Sequence, residues 1–186
     1  MDTADLDSVG SSGIVLAISS SQNGDRVNIC YATGGSWPTS PDNSLNESAS
    51  IRAMELADID RDGALDLMTT TFPRTVRIRY DRSDSFDETP FVLDPSIGGY
   101  QARTIADFNR GRRVDIALGN TGGEGGGGGV EVLFQTAPAR FTCEPLLISG
   151  NSVSNILIHD ADADGEPDAG SVDCGLKILA AHFNGH

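Results

Sequence analysis

The chain has 186 residues, with 13 Lys+Arg against 27 Asp+Glu and a formal net charge of −14. So acidic a surface excludes nucleic acid and anionic membranes as partners, because both recruit cationic side chains. The length suits one domain or a piece of one, and with 22 glycines and 8 prolines the chain turns often and leaves little room for long helices.

No run of about 18 apolar residues occurs, so no segment is built to insert into a bilayer as a helix. The start, Met1-Asp2-Thr3-Ala4-Asp5, lacks the basic and apolar stretches of a secretory signal, which leaves a cytoplasmic chain or an excerpt of an exported one. Cys30, Cys143 and Cys174 permit one bridge at most, with the pairing open, and show no CxxC spacing.

An acidic segment recurs at Asp5, Asp58, Asp107 and Asp160, about 50 residues apart, which divides the chain into units near 1–50, 51–101, 102–153 and 154–186 of a single repeat segment. The first unit opens on ADLDSVGSSGIVLAI, and it is predicted to start at its acidic loop with no strand before it. The second runs through ADIDRDGALDLMTT to TVRIRY, where Val76, Ile78 and Tyr80 alternate with other residues, the period of a strand. The third repeats this with ADFNRGRRVDIALGN and GVEVLF, where Val130, Val132 and Phe134 alternate, after a glycine-rich hairpin loop that ends at Gly129. The fourth, HDADADGEPDAGSV, stops near Phe183-Asn184, before its expected last strand. Trp37, Phe86 and Phe141 follow the third strand of their units at matching distances and are predicted to share one packed position.

Such units match four-stranded propeller blades, so the fold expected is all-β, with about fourteen strands in about three and a half blades. Closed propellers need more blades than that. The chain is therefore expected to belong to a seven-bladed ring, completed by further blades of a longer chain or by a second copy.

The acidic loops carry the chemistry. Asp58, Asp60, Asp62 and Asp66, with Gly63 between the last two, place alternate carboxylates in a tight turn where they converge on one point; a backbone carbonyl near Ala64 adds an oxygen. Hard oxygen ligands in flexible geometry suit Ca2+, and glycine allows the left-handed backbone of the turn. Asp160, Asp162, Asp164 and Asp168, with Gly165, repeat the pattern. The third copy keeps Asp107, Asn109 and Asp115 as a weaker set, since Gly111 replaces a carboxylate and Arg112 the glycine; Arg112 or Arg113 is expected to fold over the remaining acids in place of an ion. The first copy keeps Asp5 and Asp7 but has Val9 and Gly13 at later ligand positions, and is expected to be structural only. An EF-hand would need a glutamate at loop position twelve, where Thr69 and Ser171 stand, and flanking helices, whereas LDLMTTT has the composition of a strand.

These residues resemble the FG-GAP/VCBS repeat family, the calcium-binding blades of integrin alpha-subunit propellers and of many secreted proteins. DIDRDGALDLM from Asp58, DADADGEPD from Asp160 and the diverged DFNRGRRVDIALGN from Asp107 carry the likeness, which spans nearly the whole chain. The resemblance implies a propeller with structural Ca2+ between the first and second strands of a blade. It also implies extracellular or cell-surface placement, and a protein or glycan ligand engaged by loops on the opposite face, as in cell adhesion. The alternative setting is a non-catalytic accessory propeller of a secreted polysaccharide-degrading enzyme. An enzyme is not expected: His159, His182 and His186 are the only histidines, and neither HExxH nor GxSxG is present.

Overall fold

The structure is a computed structural model and describes residues 2–5, 12–18, 25–33, 36–47, 49–72, 75–81, 85–87, 91–93, 100–120, 128–148, 153–160, 167–173 and 178–181. Among these residues there are fifteen strands and no helix. They form four antiparallel sheets, each a meander in which sequence neighbours pair.

The first sheet holds β1 (Asp2–Asp5), β2 (Ser12–Ile18), β3 (Asp25–Tyr31) and β4 (Asn43–Glu47), and the second holds β5 (Ile51–Ala57), β6 (Asp66–Thr71), β7 (Thr75–Arg79) and β8 (Phe91–Leu93). The third holds β9 (Tyr100–Ala106), β10 (Asp115–Asn120), β11 (Gly129–Ala137) and β12 (Arg140–Ile148). The last has β13 (Val153–His159), β14 (Asp168–Asp173) and β15 (Ile178–Ala181). The expectation that the first unit begins at its loop is therefore corrected, because β1 precedes that loop and pairs with β2 from Asp2↔Val15 to Asp5↔Ser12. Four short residues rich in Asp carry no apolar alternation, so the strand is set by its ladder to β2 and leaves no mark in the sequence.

The repeat reappears as one register. Ala4 pairs with Gly13, Ala57 with Asp66, Ala106 with Asp115 and His159 with Asp168, so each acidic loop closes the same first hairpin. Further along, Val27, Val76 and Val130 in the third strands face Leu45, Leu93 and Leu147 in the fourth.

The chain forms two compact units, each with two of the sheets. In the first, Val27, Ile29 and Leu45 pack against Met54, Leu67 and Phe86, so the core lies between the first and second sheets. In the second, Phe108, Ala117, Val130 and Val132 pack against Val153 and Ile156. β6 is buried at every position, including Thr69, Thr70 and Thr71.

The aromatic position holds only in part. Phe86 bridges Asp81 and is 5% exposed in the core, and Phe141 faces Gln135 in the matching register. Trp37 follows the bridge Thr33↔Ser36 and stays 48% exposed, because the chain runs on from there through residues 38–42 before β4 begins. Cys30 and Cys143 are free thiols, and Cys174 lies outside the described residues.

Candidate metal site

The loop between β5 and β6 is organised by a residue at its far end. Asp66 opens β6 and is fully buried; its Oδ2 accepts from Ile59 N at 2.8 Å and Asp60 N at 3.3 Å, and its Oδ1 accepts from Asp81 N at 3.0 Å. One carboxylate thus ties the start of the loop to the chain just past β7. Ile59, within the loop, is fully buried. At the tip, Gly63 N donates to Asp58 Oδ2 at 3.1 Å, which is possible because Gly63 has φ +95°. Arg61 also takes a left-handed conformation, φ 64°.

This winding brings carboxylate oxygens of Asp58, Asp60 and Asp66 within 4.8 Å of one another. Asp62 stands outside that group: it is exposed, and its Oδ1 accepts from Ala64 N at 2.9 Å. Asp58 Oδ1 is buried and accepts no hydrogen bond. A buried carboxylate oxygen without a donor is costly unless a cation faces it. Each oxygen of an ionised carboxylate also has more than one lone pair, so hydrogen bonding to the backbone leaves room for a metal. The residues present therefore fit a hard divalent ion such as Ca2+.

Burial pushes the Asp66 carboxyl up to about 6 from an ordinary 3.8; the three backbone donors pull the other way, and the Asp60 charge adds to the rise. The folded chain thus holds a proton there that the unfolded chain releases. The stability from that proton is fully present below pH 3.8 and lost as pH rises to about 6. In chelator, the stability of the wild type relative to Asp66→Asn is expected to fall between about pH 4 and pH 6 and to level off above, as read by urea unfolding at each pH.

The third loop has the same anchor. Asp115, fully buried, accepts from Phe108 N at 2.9 Å and Gln135 N at 2.8 Å, and burial raises its pKa. Asn109 instead turns its Oδ1 onto Gly111 N at 2.8 Å, and a Cβ at Gly111 would lie 2.6 Å from that oxygen. The loop closes on its own amide where the second copy has Asp60 and Asp62.

Arg112 takes the place of Gly63 and keeps a positive φ of 56°. Among the described residues neither Arg112 nor Arg113 forms an ion pair, so the expected guanidinium cover over the acids is not found. The left-handed backbone turns Arg112 outward, and it is exposed. Arg112→Gly is accordingly expected to raise stability by up to about 1 kcal/mol, since relief of the strain outweighs the extra entropy of the unfolded chain. A urea midpoint moving upward with the same metal stoichiometry checks it.

In the fourth copy Asp160 is half-buried at the end of β13 and Asp168 opens β14, while Asp162 and Asp164 lie outside the described residues, as does Asp7 of the first copy. Asp5 is the last residue of β1. The strands on both sides of the second-copy loop agree with strand-loop-strand and not with an EF-hand.

Sequence reading missed the anchoring by Asp66 and Asp115 of the chain at Asp81 and Gln135. The available signal was an acid at the loop's last position followed directly by an apolar strand, which marks a carboxylate that must be buried. Compared with known protein families and with curated proteins, the sequence matches none.

Proposed function

We propose that the loop of residues 58–66 holds Ca2+ as a structural ion, and that the chain is part of an integrin-like, extracellular β-propeller that binds a protein or glycan ligand. The observation that carries this reading is the convergence of Asp58, Asp60 and Asp66 around a buried Asp58 oxygen that no donor satisfies. Four antiparallel meanders with the acidic hairpin in one register support blades. Outside the cell, Ca2+ fills even sites of about 10⁻⁴ to 10⁻³ M affinity. The ion's chemistry there is charge neutralisation, and Asp66 and Asp58 hold the loop in shape around it.

Titration calorimetry on metal-stripped protein tests the reading. About two ions per chain are expected, in loops 58–66 and 160–168, with Asp58→Asn plus Asp60→Asn halving the stoichiometry. Absence of binding heat at millimolar Ca2+ would remove the proposal.

A further inference from the structure

In β7, Val76 and Ile78 alternate with Arg77 and Arg79, the pattern of a strand with one wet face. The structure covers both faces. Glu47 on β4 has a side chain 0% exposed; Arg77 Nη1 meets its Oε2 at 3.0 Å and Arg79 Nε its Oε1 at 3.4 Å, with the arginine side chains 16% and 3% exposed. Thr69 Oγ1 on β6 also donates to Glu47 Oε1, at 3.5 Å. Arg79 spends its other nitrogens on backbone: Nη2 donates to Asn46 O at 3.2 Å on the first sheet and Nη1 to Asp87 O at 2.9 Å on the second. The trio thus spans the packed faces of the first two sheets.

We propose that Glu47, Arg77 and Arg79 form a pairing lock that selects the second sheet as the packing partner of the first. Apolar packing makes that choice only weakly, because Leu67 and Phe86, which meet the first sheet, are matched by Ile116 and Phe141 in the third. The third strands differ at the positions that alternate with their buried valines and isoleucines. These positions hold Asn28 and Cys30 in β3, Arg77 and Arg79 in β7, and Glu131 and Leu133 in β11. The position of Thr69 is held by Leu118 in the third sheet.

Were the first sheet to pack on the third in the same way, buried Glu47 would meet buried Glu131, two leucines and one arginine, Arg103 opposite Leu118, so that two carboxylates would share a single cation where the second sheet offers two for one. A buried pair of opposite charges adds little net stability over apolar residues, but a buried charge without its partner is heavily penalised. The trio therefore acts against the wrong arrangement more than it favours the right one, as a chain built of similar sheets requires.

The test uses the full chain carrying Glu47→Leu, Arg77→Leu and Arg79→Leu together, so that no charge is left buried alone. A cooperative melt is expected to persist, while amide NMR shows a second set of signals from β4 and β7 at about a tenth of the intensity or more. Light scattering after size exclusion is expected to show species larger than wild type that grow with concentration. One set of signals and one species of wild-type size would overturn the lock. So would loss of the cooperative melt, because the trio would then be a source of stability and not of selection. Arg77→Glu with Arg79→Leu, which copies the third sheet into the second, gives an independent reading. Hydrogen exchange of β4 amides is expected to rise by about a hundredfold or more, with β9 to β12 unchanged; unaltered β4 exchange would also overturn the proposal.

Discussion

Ca2+ at about 100 times its dissociation constant is expected to raise the melting temperature by roughly 5–10 °C for each loop it fills. Such an excess adds about 2.7 kcal/mol per site, and a chain of this size gains a few degrees per kcal/mol. Asp58→Asn with Asp60→Asn should remove the share of the 58–66 loop. In chelator, the same pair should melt no lower than wild type, since two of three mutually repelling carboxylates are gone. Asp62→Ala should keep most of the Ca2+ gain, because Asp62 lies outside the converging group and serves the backbone at Ala64. Melts followed by circular dichroism with and without chelator check all three. If Asp62→Ala abolishes the gain while the Asp58/Asp60 pair keeps it, the ion sits elsewhere on the loop.

The second large effect belongs to the third loop. Asp115→Ala strips the acceptor from Phe108 N and Gln135 N at a fully buried position, and the Asn109 backbone also leans on that carboxylate. At about 1–3 kcal/mol for each of these two buried donors left unsatisfied, the expected loss is about 2–6 kcal/mol by urea unfolding, the same with and without Ca2+. Asp66→Ala strips three donors. Its cost should match that of Asp115→Ala in chelator and exceed it when Ca2+ is present, since the variant then also lacks the ion that the wild type holds. A loss below 1 kcal/mol at Asp115 would mean that the loop finds other acceptors, and the anchoring role would fall.

The two anchors show where sequence is legible and where it is not. The acidic hairpin, its repetition and the strands around Val76 and Val130 all lie in local patterns of charge and alternation, and the structure places them in one register. The convergence of Asp58, Asp60 and Asp66 follows from the same local pattern, whereas the outward turn of Asp62 depends on its side chain satisfying Ala64 N, a competition that spacing alone does not reveal.

Long-range facts were out of reach. β1 carries no apolar alternation and is held by its partner strand. Glu47 finds Arg77 and Arg79 only once two sheets pack, so alternation alone leaves the arginines between a neighbouring sheet and solvent. Arg112 shows the converse error: charge complementarity suggested that it would cover the acids, but a backbone inherited from the glycine position decides where its side chain goes.

The most direct test of the account is a crystal structure of the chain grown in excess Ca2+. One ion is expected in the loop between β5 and β6, about 2.3–2.6 Å from oxygens of Asp58, Asp60 and Asp66. A loop in the same conformation with no density between those three carboxylates would contradict it.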